Sequence, residues 1–254
     1  MWPGDIHVIG KDILKFHAVY WPIMLKAAGL ALPKQVLVHG WWQKDDQKMS
    51  KSTGNVVDPV EVIDEWGLDA FRYYVVRELA IGPDGNWTDE GFAARYGAEL
   101  ANGLGNLVNR SLSMLNRYRE GVVPAPHDEL AAEAIAARDK LVEQLRANEL
   151  QAGLMTIWGY ITRLNQYVDE TAPFRLAKDS GQAERLGEVL YNLAESCRLL
   201  GVWLQPYLPT TSKRIMEQLN LPTDIVNIAE SGWGELIANH KVNKPEALFP
   251  RRDK

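Results

Sequence analysis

Lys48-Met49-Ser50-Lys51-Ser52-Thr53-Gly54-Asn55 is the stretch that decides how the rest of the chain is interpreted. It places two lysines, Lys48 and Lys51, in a segment rich in serine and glycine. Lysine is a compact charge on a flexible stem, so a pair of them can follow a phosphate group as its charge moves during transfer. The pattern predicts a loop that holds a triphosphate, whereas such a loop taken out of context is usually plain solvated surface.

The residues on either side of this loop predict the elements that carry it. Upstream, the apolar run Val36-Leu37-Val38-His39-Gly40 ends in glycine and predicts a buried strand. Downstream, Asp58 can act as a helix N-cap and Pro59 suits the first helical position. Glu61 completes a capping-box pattern. The sequence therefore predicts a cationic loop between a strand and a helix.

The chain changes character at the turn-rich stretch Gly82-Pro83-Asp84-Gly85-Asn86. Over residues 1–90, strand and helix signals alternate, which predicts an α/β domain with an open sheet. Over residues 91–230, strand signals nearly vanish and amphipathic helical patterns predict an all-α bundle that folds independently. Residues 231–254 are predicted to form an arm that packs back on the body.

Composition narrows the class of protein. The chain has 254 residues, 46% of them hydrophobic and 24% charged, with a formal net charge of -5. It has neither a long apolar run nor a secretory leader, so we expect a cytoplasmic protein without membrane contact. The negative charge means that any nucleic acid must bind at a local patch. Cys197 is the only cysteine and the five histidines are scattered, so we expect no protein-bound metal or zinc.

The first predicted bundle helix has two different sides. At 100° per residue its apolar side carries Leu100, Leu104, Leu107, Ser111, Leu115 and Tyr118. A separate side carries Asn106 and Arg110, with Ser113 and Arg117. An amide and a guanidinium one turn apart can hydrogen-bond the edges of unstacked bases. Periodicity alone favours the simpler interpretation, a solvated helix face without a partner.

These motifs together resemble the class I aminoacyl-tRNA synthetases, and the methionyl-tRNA synthetases in particular. Besides the lysine loop, the resemblance rests on Val8-Ile9-Gly10-Lys11-Asp12-Ile13-Leu14-Lys15-Phe16-His17, Trp21-Pro22-Ile23-Met24-Leu25, Val38-His39-Gly40-Trp41 and Gly67-Leu68-Asp69-Ala70-Phe71-Arg72-Tyr73-Tyr74. It extends to Lys244-Pro245-Glu246-Ala247-Leu248-Phe249-Pro250. The resemblance implies the second half of a Rossmann-like catalytic domain, followed by an α-helical anticodon-binding bundle.

The resemblance also implies roles for individual residues. Lys48 and Lys51 are expected to neutralise the departing pyrophosphate as the catalytic groups. The expected ATP-binding residues are Gly10, Asp12, Gly40, Trp42, Lys48, Ser50 and Lys51, and the expected methionine pocket contains His17 and Trp21. Two alternatives stay open. Asp12 can accept from a ribose hydroxyl or cap the next helix, and His17 can be a satisfied core histidine.

For the bundle, the resemblance implies an anticodon-binding set of Asn106, Arg110 and Phe174. The family commonly has tryptophan where this chain has Phe174. A phenyl ring can still stack on a base, which is worth about 1–3 kcal/mol. The alternative is a hydrophobic contact that fixes the turn between a helix and its loop, and the sequence does not separate the two.

Part of the family's pattern has no counterpart here. The His-Ile-Gly-His-type signature of the first half and the inserted domain, often zinc-bearing, are not found. His7-Val8-Ile9-Gly10 is instead predicted to be a strand. We therefore expect a methionine–tRNA ligase part that uses ATP with Mg²⁺, methionine and tRNA-Met but is feeble or inactive without a separate N-terminal half. The alternatives are a stand-alone anticodon-binding module and a relic that does neither.

Overall fold

The computed structural model describes residues 2–50, 54–78 and 81–252 of the chain. The predicted roles of Lys51 therefore lie outside the described residues. Within those ranges, no helix combines the length and the apolar character needed to cross a membrane.

Two parallel strands open the fold. They are β1 (Ile6–Gly10) and β2 (Gln35–His39), and Gly10 lies opposite His39 in their register. The chain between them is helical from residue 11 to residue 27, with a π-helical stretch at Phe16–Tyr20 followed by α1 (Trp21–Ala27). The helical segment is continuous, but its middle is more loosely wound. Because both strands end together, the residues that follow them meet at one edge.

A second small sheet carries the start of the lysine loop. Its strands are β3 (Trp42–Lys44), β4 (Gln47–Lys48) and β5 (Gly85–Trp87), with β4 antiparallel and β5 parallel to β3. Asp45 and Asp46 form the two-residue turn between β3 and β4, with φ of 53° and 60°. Such left-handed pairs make tight hairpins whose twist matches the strands. The hairpin therefore sets where Lys48 leaves the sheet.

Two helices follow the loop. In α2 (Pro59–Trp66), the Asp58 carboxylate accepts a hydrogen bond from the Val60 N–H at 2.8 Å, so Asp58 is the predicted N-cap. The next helix, α3 (Leu68–Glu78), lies directly after it.

The remaining helices make up the helix-rich part of the chain, for which the name bundle is kept below. They are α4 (Asp89–Arg95), α5 (Asn106–Arg119), α6 (Ala131–Arg146), α7 (Leu150–Thr171), the short α8 (Pro173–Leu176), α9 (Ala183–Trp203) and α10 (Pro209–Gln218). A π-helical stretch at Tyr96–Gly105 joins α4 to α5, and short 3₁₀ turns lie at Ser180–Gln182 and Ile228–Glu230. The apolar side predicted for the first bundle helix is buried from Leu100 to Leu115, while Tyr118 packs against the core half-buried.

The buried core does not divide at residue 90. The Tyr73 ring on α3 lies 4.4 Å from the Trp158 ring on α7, centroid to centroid. Arg72 donates to the carbonyls of Pro206 and Tyr207. By its packing, α3 is part of the bundle, although the turn-rich stretch that follows it in the sequence favoured a division there.

The predicted arm, described from residue 231 to residue 252, is attached through a buried ion pair. The Glu195 carboxylate on α9 accepts two hydrogen bonds from Arg198 and three more from the backbone N–H groups of Gly234, Glu235 and Leu236. Further along the arm, Val242, Leu248 and Phe249 are buried. A fully buried carboxylate with this many donors ties the arm to the centre of the bundle.

Candidate functional site

The shared edge of β1 and β2 is shaped by Gly10 and Asp12. A Cβ atom on Gly10 would lie 2.6 Å from Asp12 Oδ1, so the carboxylate is folded back against the strand end. Gly10 is the N-cap of the following 3₁₀ turn, and no side chain caps that turn. Asp12 lies inside the turn rather than at its cap. Of the two alternatives for Asp12, the capping role is therefore not the one seen.

The backbone after β2 is held closely by the turn that precedes β5. A Cβ atom on Gly40 would lie 1.8 Å from the Pro83 carbonyl oxygen, so only glycine fits there. The Trp41 N–H donates to Asp84 Oδ1 at 2.8 Å, and the Trp41 carbonyl accepts from the Gly85 N–H at 2.9 Å. The backbone polar groups of Trp41 are thus already in use.

Two ammonium groups lie over one indole ring. Lys11 Nζ is 4.3 Å from the Trp41 ring centroid, and Lys48 Nζ is 5.2 Å from it. A cation at this distance is attracted to the ring's quadrupole. The Trp41 side of the strand faces outward, whereas the next ring, Trp42, packs inward against Tyr74 with centroids 6.3 Å apart. Alternation along the strand separates the two indoles.

Asp84 contacts both Lys11 and Trp41. Its carboxylate oxygens lie 2.5 and 2.7 Å from Lys11 Nζ. The Lys11 ammonium, followed by the Trp41 N–H, lowers the pKa of the Asp84 carboxyl below its ordinary value. Lys11, Lys48, Trp41 and Asp84 therefore form one charged group at the edge where the predicted nucleotide site begins. We call it the indole cluster.

Asn55 closes the lysine loop. Its Oδ1 accepts from the Ser50 N–H at 2.8 Å, and its Nδ2 donates to the Lys48 carbonyl at 3.1 Å. One side chain thus joins both ends of the loop. Together with the β3–β4 pairing, it holds the backbone of Lys48 and Ser50 in place while the Lys48 ammonium stays exposed.

The two predicted methionine-pocket residues lie in an aromatic group. The Trp21 ring is 5.6 Å from the His17 ring, 4.9 Å from the His7 ring and 5.4 Å from the Trp2 ring, each with an edge-to-face tilt. His17 Nδ1 lies 3.0 Å from the Ile13 carbonyl. Since His7 is on β1 about 10 Å from Gly10 at 3.3 Å per residue, the group flanks the strand rather than its carboxyl end.

Arg110 does not simply point into solvent. Its Nη2 lies 2.7 Å from Asn165 Oδ1 and 3.2 Å from the Asn165 carbonyl, and its Nη1 lies 3.6 Å from Asp169 Oδ1. The guanidinium is therefore held across the gap between α5 and α7. Asn106 is exposed one turn before it.

Phe174 lies near the same end of α7. That helix ends at Thr171, because Ala172 takes a left-handed conformation with φ of 42°. The Phe174 ring on α8 is 48% exposed, and the Arg175 guanidinium lies 5.8 Å from its centroid. Asp169, the partner of Arg110, precedes Phe174 by five residues. This spacing places Asn106, Arg110 and Phe174 in the same part of the bundle.

Among the described residues, no three His, Cys, Asp or Glu side chains lie together in a way that could hold a metal ion.

Comparison with known proteins identifies the family. The family described as tRNA synthetases class I (M) matches residues 3–112. A methionine–tRNA ligase of Clostridium tetani is 46% identical over 258 residues, which cover 99% of this chain. That of Bacillus subtilis is 46% identical over 262 residues. The chain belongs to the methionyl-tRNA synthetase family. It spans 40% and 39% of the length of these two relatives.

Solved structures of the family share the fold. A Mycobacterium tuberculosis methionyl-tRNA synthetase in complex with methionyl-adenylate matches 98% of this chain with a TM-score of 0.90 and 36% identity, and the match covers 50% of that protein. The free form of the same enzyme matches with a TM-score of 0.87 and 33% identity. The described chain therefore has the fold of a large part of a class I synthetase.

Sequence reasoning within this family frame left several residues out. The resemblance gives Lys11 no role of its own and selects Trp42 for the ATP site, whereas the ring beside Lys11 and Lys48 is that of Trp41. Asp84 was assigned to a turn. Asn55 follows Gly54 as a typical turn residue. The alternation of strand residues could have selected Trp41, but no local signal points to Asp84.

Proposed function

We propose that this chain supplies the pyrophosphate-stabilising and anticodon-reading parts of a methionine–tRNA ligase. The observation that carries the proposal is the placement of Lys48 beside Trp41, at the carboxyl edge of β1 and β2, in a chain 46% identical to methionine–tRNA ligases. Parallel-strand edges of this kind are where nucleotides bind in open α/β sheets.

The proposed reaction has two steps. First, a carboxylate oxygen of methionine attacks the α-phosphorus of ATP bound with Mg²⁺, and the bond to pyrophosphate breaks. The methionyl-adenylate then meets the terminal ribose of tRNA-Met, whose hydroxyl attacks the carbonyl carbon and releases AMP. Lys48 and Lys51 offset the charge that develops on the departing pyrophosphate. Such stabilisation acts in the transition state and typically contributes a factor of about 10²–10³ per group.

Ligation is proposed to need the rest of the family's fold. The chain spans 40% of its relative, and apolar residues on β1 and the segment after it are uncovered: Val8 is 63% exposed and Met24 is 66% exposed. Exposed apolar faces of this extent mark surfaces that bind another protein segment. A separately supplied N-terminal half is the partner we propose, and positioning without it is too incomplete for useful rates.

Methionine-dependent exchange between ATP and pyrophosphate tests this function. We expect only background exchange from the chain alone, and measurable exchange after mixing with the N-terminal half of the Bacillus subtilis relative. Lys48→Met should lower that exchange by more than about tenfold. Lys44→Met is the matched control. It removes a lysine on β3 that is ion-paired with Asp89 on α4, and the exchange rate should change little. Exchange by the chain alone, or equal losses in both variants, would contradict the proposal.

A stand-alone anticodon-binding module is the second candidate. The observation in its favour is that Arg110 is already oriented by Asn165 and Asp169, and that the half-exposed Phe174 follows Asp169 by five residues. A guanidinium fixed in this way loses less entropy when it binds a base. This function needs no ligation and no second half.

Filter or fluorescence binding with tRNA-Met and an anticodon-altered version tests the module. Arg110→Ala should weaken cognate binding by about 1–3 kcal/mol if it makes a bidentate base contact. The control is Arg146→Ala at the end of α6, which lies next to the start of α7, about 30 Å from its other end. Equal affinity for the two tRNAs would exclude anticodon reading, and loss of both functions would favour the relic interpretation.

A further inference from the structure

The Asp84 carboxylate lies in a set of donors that also suits a phosphate oxygen. It accepts from Lys11 Nζ at 2.5 and 2.7 Å and from the Trp41 N–H at 2.8 Å. An ammonium and a backbone N–H that converge on one anion are the usual components of a phosphate site. In this structure, the anion at that position is the side-chain carboxylate of Asp84.

The backbone around these donors is fixed. The Pro83 carbonyl fills the space beside Gly40, and the Gly85 N–H is bonded to the Trp41 carbonyl at 2.9 Å. Trp41 is therefore held by neighbours on both sides of Asp84. The Asp84 side chain can rotate away without moving the strand, and the Trp41 N–H and the Lys11 ammonium would then be free to bind another anion.

The second lysine shows which anion fits. Lys48 Nζ lies over the same indole ring as Lys11 Nζ, at 5.2 and 4.3 Å from the centroid. Both ammonium groups therefore lie beside one indole ring. With the Asp84 carboxylate turned away, two positive charges and one N–H donor remain there. A chain of linked phosphates is long enough to contact both ammonium groups at once, whereas both oxygens of the Asp84 carboxylate lie on Lys11.

We propose that Asp84 is an internal substitute for a polyphosphate oxygen, and that a nucleoside triphosphate or inorganic polyphosphate displaces it to bind Lys11. Lys11 then becomes a polyphosphate contact in addition to Lys48, and Asp84 competes with the ligand. The inference rests on the proposed function, since that function assigns the polyphosphate to this edge. When no ligand is bound, the Asp84 carboxylate also offsets the repulsion between the two ammonium groups.

Binding of inorganic tripolyphosphate to the full chain, measured by titration calorimetry at low ionic strength, tests the displacement. Lys11→Met should weaken binding by about tenfold, because a charge-assisted contact is lost. Asp84→Asn should tighten binding by about three- to tenfold, since the amide oxygen still accepts the Trp41 N–H but no longer holds the ammonium. In the double variant, the benefit of Asp84→Asn should vanish, leaving the affinity of Lys11→Met alone.

Matched controls separate this effect from net charge. Asp5→Asn removes a carboxylate that is also 2.5 Å from a lysine, Lys34, at the other end of β1. Lys15→Met removes a lysine from the same helical segment as Lys11. Both should change tripolyphosphate affinity by less than about twofold.

The proposal is overturned if Asp84→Asn binds tripolyphosphate no tighter than Asp5→Asn, or if its effect persists in the double variant. Circular dichroism shows whether each variant folds, and Asp84→Ser, whose hydroxyl can also accept the Trp41 N–H, replaces any Asp84→Asn protein that does not. The assay uses neither methionine nor tRNA. A protein that gives no ATP–pyrophosphate exchange even with the N-terminal half, but passes here, would refute the proposed function and keep the displacement. Exchange with the N-terminal half together with failure here would keep the proposed function and overturn the displacement.

Discussion

In the bundle, α9 is buried at every residue from Val189 to Trp203, whereas β1 and the helical segment after it leave Val8 and Met24 about two-thirds exposed. The bundle closes its apolar residues into a core within this chain. The nucleotide-side region, residues 2–50, has helices and parallel strands but leaves much of their apolar surface uncovered. The difference teaches that secondary structure in one region depends on packing inside the chain, and in the other on a cover that we propose comes from the rest of the family's fold.

The elements α3 and β5 lie between the two regions in the sequence and pack with the bundle. Tyr73, Tyr74 and Trp87 are buried in the same core as α7 and α9. The boundary between the two regions therefore lies before α2 rather than at residue 90.

Truncation gives the largest expected effect. We expect a fragment of residues 56–252 to unfold cooperatively and a fragment of residues 91–252 to lack a cooperative fold. Removing one large buried aromatic side chain costs about 3–5 kcal/mol, and whole domains are stable by only about 5–15 kcal/mol, so the loss of three is decisive. Thermal melts followed by near-ultraviolet circular dichroism give the answer. Equal melting of the two fragments would return the boundary to residue 90.

The next effect concerns the arm. Glu195→Gln should lower the free energy of unfolding by about 3–5 kcal/mol, because the buried Arg198 guanidinium loses its buried carboxylate partner. Hydrogen exchange should also quicken at residues 234–236, whose N–H groups bond to that carboxylate. The control is Glu235→Gln, which changes the exposed partner of Arg198 and should cost less than about 1 kcal/mol. Similar losses of unfolding free energy in the two variants would show that burial does not determine how much the ion pair of Glu195 and Arg198 contributes to stability.

A pair of leucines compares the two regions directly. Leu112→Ala, in the bundle core, should cost about 2–5 kcal/mol in the free energy of unfolding. Leu30→Ala, at a residue 53% exposed after α1, should cost less than about 0.5 kcal/mol in this chain alone. Urea unfolding measures both. A large cost at Leu30 would mean that the nucleotide-side region covers its apolar surface in solution, by self-association or otherwise.

The smallest effect is a pH dependence present in both regions. Lys11 lowers the pKa of Asp84, and Arg185 lowers that of Glu129, from ordinary values of 3.8 and 4.5. A carboxyl whose pKa is lower in the folded state adds stability above its unfolded pKa and loses it as the pH falls through the folded value. The stability difference between wild type and Asp84→Asn, or Glu129→Gln, should therefore shrink below about pH 4.5 in urea titrations. A difference that grows toward acid would have the wrong sign.

Local signals were enough for much of the fold. The N-cap at Asp58, strand β2 and the apolar side of α5 all follow from residues a few positions apart. The lysine loop was identified in the same way. The contacts that shape the candidate site were not accessible, because Lys11 and Asp84 are 73 residues apart and Arg110 and Asn165 are 55 apart. The residues around either partner in the sequence do not indicate which distant residue it contacts.

The sequence by itself determined much of the helical structure and strand β2, where the paired lysines lie in the chain, and which residues resemble the methionyl-tRNA synthetases, because propensity, capping and periodicity depend on near neighbours. It did not determine strand β5, which begins at Gly85 inside the stretch predicted as turn-rich. Only the tertiary structure decided that Trp41 rather than Trp42 faces Lys48, that Asp84 holds Lys11, and that α3 packs with the bundle. Those outcomes depend on how distant surfaces exclude each other and pair their charges, which is a property of the packed chain.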